Sequence, residues 1–161
     1  FSFLIISIIS VFSQTENTAV YANLVNPISI TETRLLHFGT LSVSASNPGS
    51  CVVAAAGTRT ATGGVVLTNV SPAATSAAYT VTGTANLTYS ITLPTSNVTA
   101  TRNGGSETLT VNTFTSSKAG NVGVLSGAAS DTFTVGATIQ VIAGQVAGLY
   151  QGNFNVTVAY N

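Results

Sequence analysis

The end of the sequence alternates between apolar and polar residues with a period of two. Over residues 150–160, one set of alternate positions is apolar: Tyr150, Phe154, Val156, Val158 and Tyr160. Successive side chains of a strand point to opposite faces, so this pattern predicts a half-buried strand with an apolar inner face. Such a strand needs a hydrogen-bonding neighbour on each edge, and only Asn161 follows it in the sequence. The source of its second neighbour is therefore the main question that the sequence raises.

Similar short runs recur along the whole chain, and helical periodicity is almost absent. Turn residues separate them, and Asn103-Gly104 is the strongest hairpin signal, because a type I′ turn needs positive φ at both central positions. Residues 116–130 are predicted to form a loop carrying a short strand. The predicted strands are 18–26, 28–33, 35–43, 51–55, 64–68, 78–83, 87–93, 97–101, 107–114, 131–135, 138–142 and 150–160. Short strands separated by turns predict an all-β sandwich or barrel.

The first twelve residues are apolar or serine and carry no charge. They are too few to span a bilayer, which needs about 20 residues, and they fit the apolar region of a secretory signal peptide. Val11 and Ser13 supply the small residues before a cleavage site, so residues 1–13 are predicted to be a signal peptide truncated at its start. The alternative is a buried strand or short helix of the mature fold. The remaining chain divides into an N-terminal extension, residues 14–27, and a β-sandwich domain, residues 28–161.

Charged residues make up 5% of the chain and sum to zero net charge, against about 25% charged residues in ordinary soluble domains. No basic patch is present, which argues against a nucleic-acid partner. The surface must consist mostly of Thr, Ser, Asn, Gly and Ala, and such a surface puts little charge repulsion between copies. This composition is compatible with a secreted protein that associates with itself and has no stable membrane insertion.

Cys51 is the single cysteine, so the chain cannot form an internal disulfide. Its thiol could pair between chains or react. The favoured interpretation is a small buried apolar residue at the start of a strand.

Residues with catalytic potential form no recognisable motif. His37 is the single histidine, and a lone histidine is more often structural than catalytic. The carboxylates Glu32, Glu107 and Asp131 are scattered among separate predicted strands or turns, without a glycosidase motif. No Cys/His metal spacing and no phosphate-binding loop is present. The sequence therefore predicts that the protein is not an enzyme and uses no metal or cofactor.

Tyr150 follows a glycine turn at the start of the last predicted strand. Immunoglobulin-like sandwiches place a corner tyrosine near the start of strand F. If Tyr150 is that residue, the chain ends at F and strand G is missing. The alternative is a hairpin tyrosine in another β-fold.

A strand over residues 18–26 would lie directly after the predicted cleavage site. A free N-terminal strand, combined with a sandwich that lacks its last strand, suggests β-strand addition between subunits, as in the donor-strand complementation of pilins. The alternative is that residues 18–33 form one first strand, split by Pro27, within their own domain. The predicted donor side chains are Val20, Ala22 and Leu24, and the predicted acceptor groove is formed by Phe154, Val156 and Val158.

Four blocks of the sequence resemble a known family. They are Ala22-Asn-Leu-Val-Asn-Pro-Ile-Ser-Ile-Thr31 with Leu36-His-Phe-Gly39, then Arg59-Thr-Ala-Thr-Gly-Gly-Val65, then Ala78-Tyr-Thr-Val-Thr-Gly83 with Tyr89-Ser-Ile-Thr-Leu-Pro94, and last Phe133-Thr-Val-Gly136 together with residues 148–160. They resemble the bacterial family named domain of unknown function 4402, which is similar to the spore coat protein U domain and to chaperone–usher pilins. The blocks cover most of the chain after residue 19.

The resemblance implies an exported, immunoglobulin-like antiparallel β-sandwich that lacks its last strand, as pilins do. It implies a structural subunit of a surface fibre or coat, with copies of itself or related subunits as partners. A periplasmic chaperone and an outer-membrane usher are further implied partners, and the periplasm is the route to the cell surface. Related coat domains often carry a cysteine pair near the first strand, where this chain has Ile28 and Ile30, so that disulfide does not carry over. The alternative function is a self-contained extracellular binding or adhesin module, although its loops contain almost no aromatic residues.

Overall fold

The computed structural model describes residues 12–161, and the predicted signal peptide lies almost wholly outside them. The described chain contains thirteen strands and one short 3-10 helix. In chain order they are β1 Ser29–Arg34, β2 Leu41–Val43, β3 Gly49–Val53, β4 Arg59–Gly63, β5 Val65–Leu67, β6 Ala77–Thr82, β7 Thr88–Thr92, β8 Val98–Arg102, β9 Thr108–Ser116, the 3-10 helix Ala119–Asn121, β10 Val122–Val124, β11 Ser130–Val141, β12 Tyr150–Gln151 and β13 Thr157–Tyr160. The strand pairings are antiparallel, which confirms the predicted all-β class.

The long strand β11 organises the largest sheet. Along one edge it pairs first with β6 and then with β3, while its other edge pairs with β9. The sheet order is β1-β6-β11-β9-β8-β12, and β4 extends it beyond β3. Gly136 lies where β11 changes partner, and a Cβ atom there would collide with the carbonyl oxygen of Val53. The absence of a side chain at this position therefore lets two backbones approach, and the large sheet curls into a half-barrel.

Two smaller sheets, β10-β7-β13 and β2-β5, enclose the core against the large sheet. Under β10-β7-β13 lies one apolar cluster, in which Tyr89, Val81 and Val135 are fully buried. Next to β2-β5 lies a second cluster, which includes Cys51 and Ile139. Leu36 and Phe114 pack against both clusters, so the two clusters form one continuous core.

Several predictions about the strands are wrong, and of the predicted strand 35–43 only Leu41–Val43 is a strand. Residues 131–135 and 138–142 belong to the single strand β11, because Gly136 serves a close backbone approach and not a turn. Residues 150–160 form two strands, since β12 pairs with β8 in the large sheet and β13 pairs with β7 in another. The strand β4 was not predicted, because its Thr- and Gly-rich sequence lacks apolar alternation.

The hairpin at Asn103-Gly104 forms, but its predicted turn type is wrong. The strands β8 and β9 pair on either side of it. Gly104 has φ of +76°, whereas Asn103 is not among the residues with positive φ. The amide of Gly105 donates to the carbonyl oxygen of Arg102 at 3.1 Å. A turn with positive φ only at its third residue is typical of type II. The predicted loop over residues 116–130 is confirmed, and β10 is its short strand.

Cys51 lies in the middle of β3 and is fully buried. Burial raises the pKa of its thiol, with a smaller opposing effect from the positive charge of Arg59. The favoured interpretation of Cys51 as a buried apolar residue is thereby confirmed, although it lies inside the strand and not at its start.

Candidate functional site

Two edge strands border an open seam in the described structure. The strand β1 is the edge of the large sheet and pairs with β6, and β13 is the edge of a smaller sheet and pairs with β7. They lie next to each other without a hydrogen-bonded ladder between them. Both strands therefore keep one edge of backbone donors and acceptors unpaired among residues 12–161, and such edges are templates for a further strand. We call the space between residues 28–43 and residues 145–160 the seam.

The predicted acceptor residues lie along this seam. Val158 is on β13, opposite Ile91 of β7, and Phe154 and Val156 precede that strand. Each is half-buried and packs against the apolar cluster beneath β7. The ring of Phe154 lies 4.8 Å from that of Phe114, measured between centroids. The predicted alternation is present in the structure, since the residues between these three are exposed.

The predicted donor residues lie in a segment with no strand pairing. Residues 12–27, which we call the N-terminal segment, belong to no strand or helix. The prediction of a strand over residues 18–26 is therefore wrong for the single chain. Val20 is 90% exposed, Leu24 is 96% exposed, and Ala22 is exposed as well. The structure places the predicted donor residues outside the seam of their own chain, with their apolar side chains in solvent.

A group of three residues holds the base of the N-terminal segment at one end of the seam. The amide of Asn26 donates to the Thr84 hydroxyl at 2.7 Å, and its carbonyl oxygen accepts from the Tyr160 hydroxyl at 2.9 Å. The amide of Thr84 in turn donates to the Tyr160 hydroxyl at 2.7 Å. We call this group the Asn26 clamp. The neighbouring Gly83 has no room for a Cβ atom, which would collide with that hydroxyl. No local sequence pattern marks the clamp, because its members are far apart in the chain.

A cavity of about 500 Å³ lies at the other end of the seam. One wall is formed by residues 36–41 and Val43, the other by residues 145–150, and Leu109, Ile139 and Val141 also line it. Val146 and Leu149 line the cavity while remaining 45% and 54% exposed. The described residues that line the cavity include no Asp, Glu, Lys or Arg, so the cavity suits an uncharged, apolar occupant.

Two polar side chains organise the wall of this cavity. Gln145 Nε2 donates to the Tyr150 hydroxyl at 2.7 Å and to the Thr108 carbonyl oxygen at 3.3 Å. The Tyr150 hydroxyl donates to the carbonyl oxygen of Val146 at 2.6 Å. The buried Oε1 of Gln145 has no hydrogen-bond partner among the described residues. Tyr150 could be singled out from the sequence, whereas the burial of Gln145 could not be predicted from the glycine- and alanine-rich turn around it.

The ionisable residues are distributed among separate local contacts. His37 Nδ1 accepts from the amide of Gly39 at 2.8 Å. Glu107 pairs with Arg102 at 2.6 Å, and Asp131 pairs with Lys118 at 2.8 Å. Among residues 12–161, no three His, Cys, Asp or Glu side chains are grouped so that they could hold a metal ion. In the same part of the chain, no helix is long and apolar enough to cross a membrane.

Burial and hydrogen bonding shift the pKa values around Asp131. Burial by itself would raise the pKa of Asp131, but hydrogen bonds from Lys118, Tyr89 and the Thr132 amide lower it overall. Burial is the largest cause of the raised pKa of Tyr89, and its hydrogen bond to Asp131, 2.9 Å long, raises it further. The cluster thus favours a charged Asp131 carboxylate, which pairs with Lys118 and accepts a hydrogen bond from the neutral Tyr89 phenol.

A family model described as a domain of unknown function (DUF4402) matches residues 28–160. The chain belongs to this family. The match begins after the N-terminal segment and includes β1, β13 and both walls of the cavity. No curated protein and no solved structure matches the chain. The DUF4402 domain therefore contains the seam, whereas the predicted donor residues precede the matched region.

Proposed function

We propose that this protein is an exported structural subunit of a surface fibre or coat, assembled by β-strand addition between subunits. In the proposal, Val20, Ala22 and Leu24 of one copy pack against Phe154, Val156 and Val158 of another. The backbone of the inserted segment pairs with the unpaired edge of β13. The observation that carries the proposal is the open seam beside an exposed apolar segment within one chain.

We infer further that the fold is an immunoglobulin-like sandwich without its last strand. Strands A, B, E and D of such a sandwich form one sheet, and C, F and G form the other. Here the order β1-β6-β11-β9 corresponds to A-B-E-D, and β7-β13 corresponds to C-F. The position of G, beside β13, is vacant among the described residues. The hydrogen bond from Tyr150 to the carbonyl oxygen of Val146 resembles that of a tyrosine corner, although Tyr150 lies on β12, ahead of the strand β13 that corresponds to F.

Export and assembly factors belong to the same proposal. The uncharged run at residues 1–12 supports secretion, and a periplasmic chaperone would protect the open seam before assembly. An outer-membrane usher would then deliver subunits to the cell surface. A chaperone strand in the seam would be replaced by the N-terminal segment of the next subunit.

The proposal is tested with a chain that begins at Pro27. Because it lacks the donor residues, this chain should aggregate or lose stability, and a peptide of residues 18–26 should restore it. The same peptide carrying Leu24→Asp should fail, because an unpaired charge in an apolar groove is costly. The measurements are the thermal midpoint and the sedimentation profile with each peptide.

A stable, monomeric mature chain at high concentration would contradict the fibre proposal. The self-contained binding or adhesin module would then be favoured, with the apolar cavity near Tyr150 as its site.

A further inference from the structure

We propose that the cavity beside Tyr150 binds a small, uncharged molecule that has an apolar body and one hydrogen-bond donor group. This binding is separate from the proposed strand addition, because Phe154, Val156 and Val158 are not among the residues that line the cavity. Three features support the assignment: the size and apolar lining of the cavity, a buried oxygen atom without a hydrogen-bond partner, and the contacts that hold this oxygen in place.

The cavity has the size and the lining of a small-molecule site. Its volume of about 500 Å³ lies within the range of about 300–1,000 Å³ that is usual for such sites. The buried side chains of Leu109, Ile139 and Val141 line it from the large sheet. Since no Asp, Glu, Lys or Arg is among the described lining residues, a charged occupant would lose its hydration without gaining a counter-charge. An uncharged occupant is therefore favoured.

One oxygen atom in the cavity wall is buried without a hydrogen-bond partner. Gln145 lines the cavity and is 9% exposed, and its Oε1 accepts no hydrogen bond from the described residues. Among residues 12–161, it is the one buried side-chain nitrogen or oxygen atom in this condition. Buried polar atoms are nearly always paired, so an unpaired one indicates a partner that the chain itself does not supply. A bound molecule with a hydroxyl or amide N–H group would supply it.

The neighbouring hydrogen bonds fix which end of the Gln145 amide stays unpaired. Its Nε2 donates to the Thr108 carbonyl oxygen, which can only accept, and to the Tyr150 hydroxyl, whose own proton goes to the carbonyl oxygen of Val146. Reversing the amide would place Oε1 against the Thr108 oxygen, so that two acceptors would face each other. His37 Nδ1, a further acceptor in the lining, is already occupied by a backbone amide. The open position in the wall is therefore an acceptor, and it selects a ligand that donates.

The wall beside Gln145 is built so that a ligand can reach the buried oxygen. Val146 and Leu149 line the cavity while remaining 45% and 54% exposed, so they cover the interior only in part. Gly144 and Gly148, with φ of +64° and +154°, flank this stretch of the wall. A glycine has no side chain to restrict its backbone angles, so these two positions allow the wall to shift.

Three probes of similar size test the site on the unmodified secreted chain by isothermal titration calorimetry. The probe n-octanol has an apolar body and one donor. Its isomer methyl heptyl ether has an oxygen atom but no donor, and octanoate carries a charge. We expect n-octanol to bind about 5- to 10-fold more tightly than the ether, as one hydrogen bond to a buried acceptor predicts. Octanoate should bind more weakly than n-octanol.

Two pairs of proteins locate the binding. Gln145→Leu removes the acceptor, so it should bind n-octanol and the ether with equal affinity, in contrast to the unmodified chain. Leu149→Trp places a larger side chain in the cavity wall and should weaken the binding of all three probes. Ile142→Trp is its matched control, because Ile142 is 66% exposed and is not among the lining residues. The control should bind n-octanol as the unmodified chain does.

Several results would overturn the proposal. Equal affinity of the unmodified chain for n-octanol and the ether would show that Gln145 Oε1 selects no donor. Equal effects of Leu149→Trp and Ile142→Trp would place the binding outside the cavity, and the absence of binding by any probe would remove the site. If affinity for n-octanol falls as the protein concentration rises, a side chain of a neighbouring copy fills the cavity, and the small-molecule assignment is wrong. None of these results depends on whether the chain forms fibres, which sedimentation measures separately.

Discussion

Replacing Leu24 by alanine should weaken assembly without weakening the fold of the single domain. Leu24 is 96% exposed in the single chain, so it contributes almost nothing to the packing of its own domain. The free energy of unfolding of the monomer should change by less than about 0.5 kcal/mol, as it does at exposed positions. In the assembled state Leu24 would be buried, and burial of a leucine side chain contributes about 1.5–3 kcal/mol. Loss of roughly 2 kcal/mol corresponds to a dissociation constant about 30-fold higher.

Tyr21→Ala is the matched control for this substitution. Tyr21 is 90% exposed and would lie on the opposite face of an inserted strand, because side chains alternate along a strand. Its replacement removes more apolar surface than Leu24→Ala does. If association came from a nonspecific attraction between exposed apolar side chains, Tyr21→Ala would therefore weaken it more. If it comes from strand insertion, Leu24→Ala should weaken it more.

Sedimentation equilibrium over a concentration series measures association, and urea unfolding of dilute protein measures the stability of the monomer. If Leu24→Ala and Tyr21→Ala weaken association equally, Leu24 does not lie on the inner, core-facing side of the inserted strand, and the assignment is refuted. A lower urea midpoint of dilute Leu24→Ala would show that Leu24 packs within its own domain, which would refute the donor assignment.

Four further predictions concern processing, the turn, the cavity wall and pH. The secreted protein should begin at Gln14 in N-terminal sequencing, and a mature chain that keeps residues 1–12 would disprove the signal peptide. Gly104→Val should cost roughly 1 kcal/mol or more in urea unfolding, because Gly104 has φ of +76°. Gly127→Val, at an equally open site without positive φ, should cost less. Tyr150→Phe should cost about 1–3 kcal/mol, because it leaves the buried Gln145 amide without its 2.7 Å partner, whereas the exposed Tyr21→Phe should have no effect. Since the pKa of Asp131 is lowered in the folded state, its stabilising effect is present above the unfolded value of roughly 4 and is lost as the pH falls through the folded value. The thermal midpoint of Asp131→Asn should accordingly fall less than that of the unmodified chain between pH 6 and pH 2.5.

The sequence pattern predicted which faces are buried more reliably than which strands pair. The alternation at Phe154, Val156 and Val158 follows directly from the period of a strand, and the structure has the same alternation. The same pattern gave no sign that residues 150–160 cross from one sheet to another. Pairing depends on partners distant in sequence, such as β8 for β12 and β7 for β13. A local pattern contains no information about them.

The features that define the ends of the seam could not be predicted from the sequence. The Asn26 clamp joins residues that are 58 and 134 positions apart. The cavity likewise depends on how the walls at residues 36–43 and 145–150 are spaced. Its position is a property of the packing of whole sheets, so no motif marks it. The burial of Gln145 in the wall of the cavity could not be predicted either, because glutamine is usually exposed.

The backbone around Pro27 explains why the seam would be filled by another copy and not by its own chain. Self-insertion requires the N-terminal segment to fold back along β1 through a tight hairpin at Asn26-Pro27. A type I′ turn needs positive φ at both central positions, which the proline ring forbids, and a type II′ turn favours glycine where Asn26 stands. The amide and carbonyl group of Asn26 are also occupied by Thr84 and Tyr160, so they are not free for hairpin bonds. The exposed apolar segment and the open seam of one chain are thus kept apart by local geometry, and each remains available to a neighbouring copy.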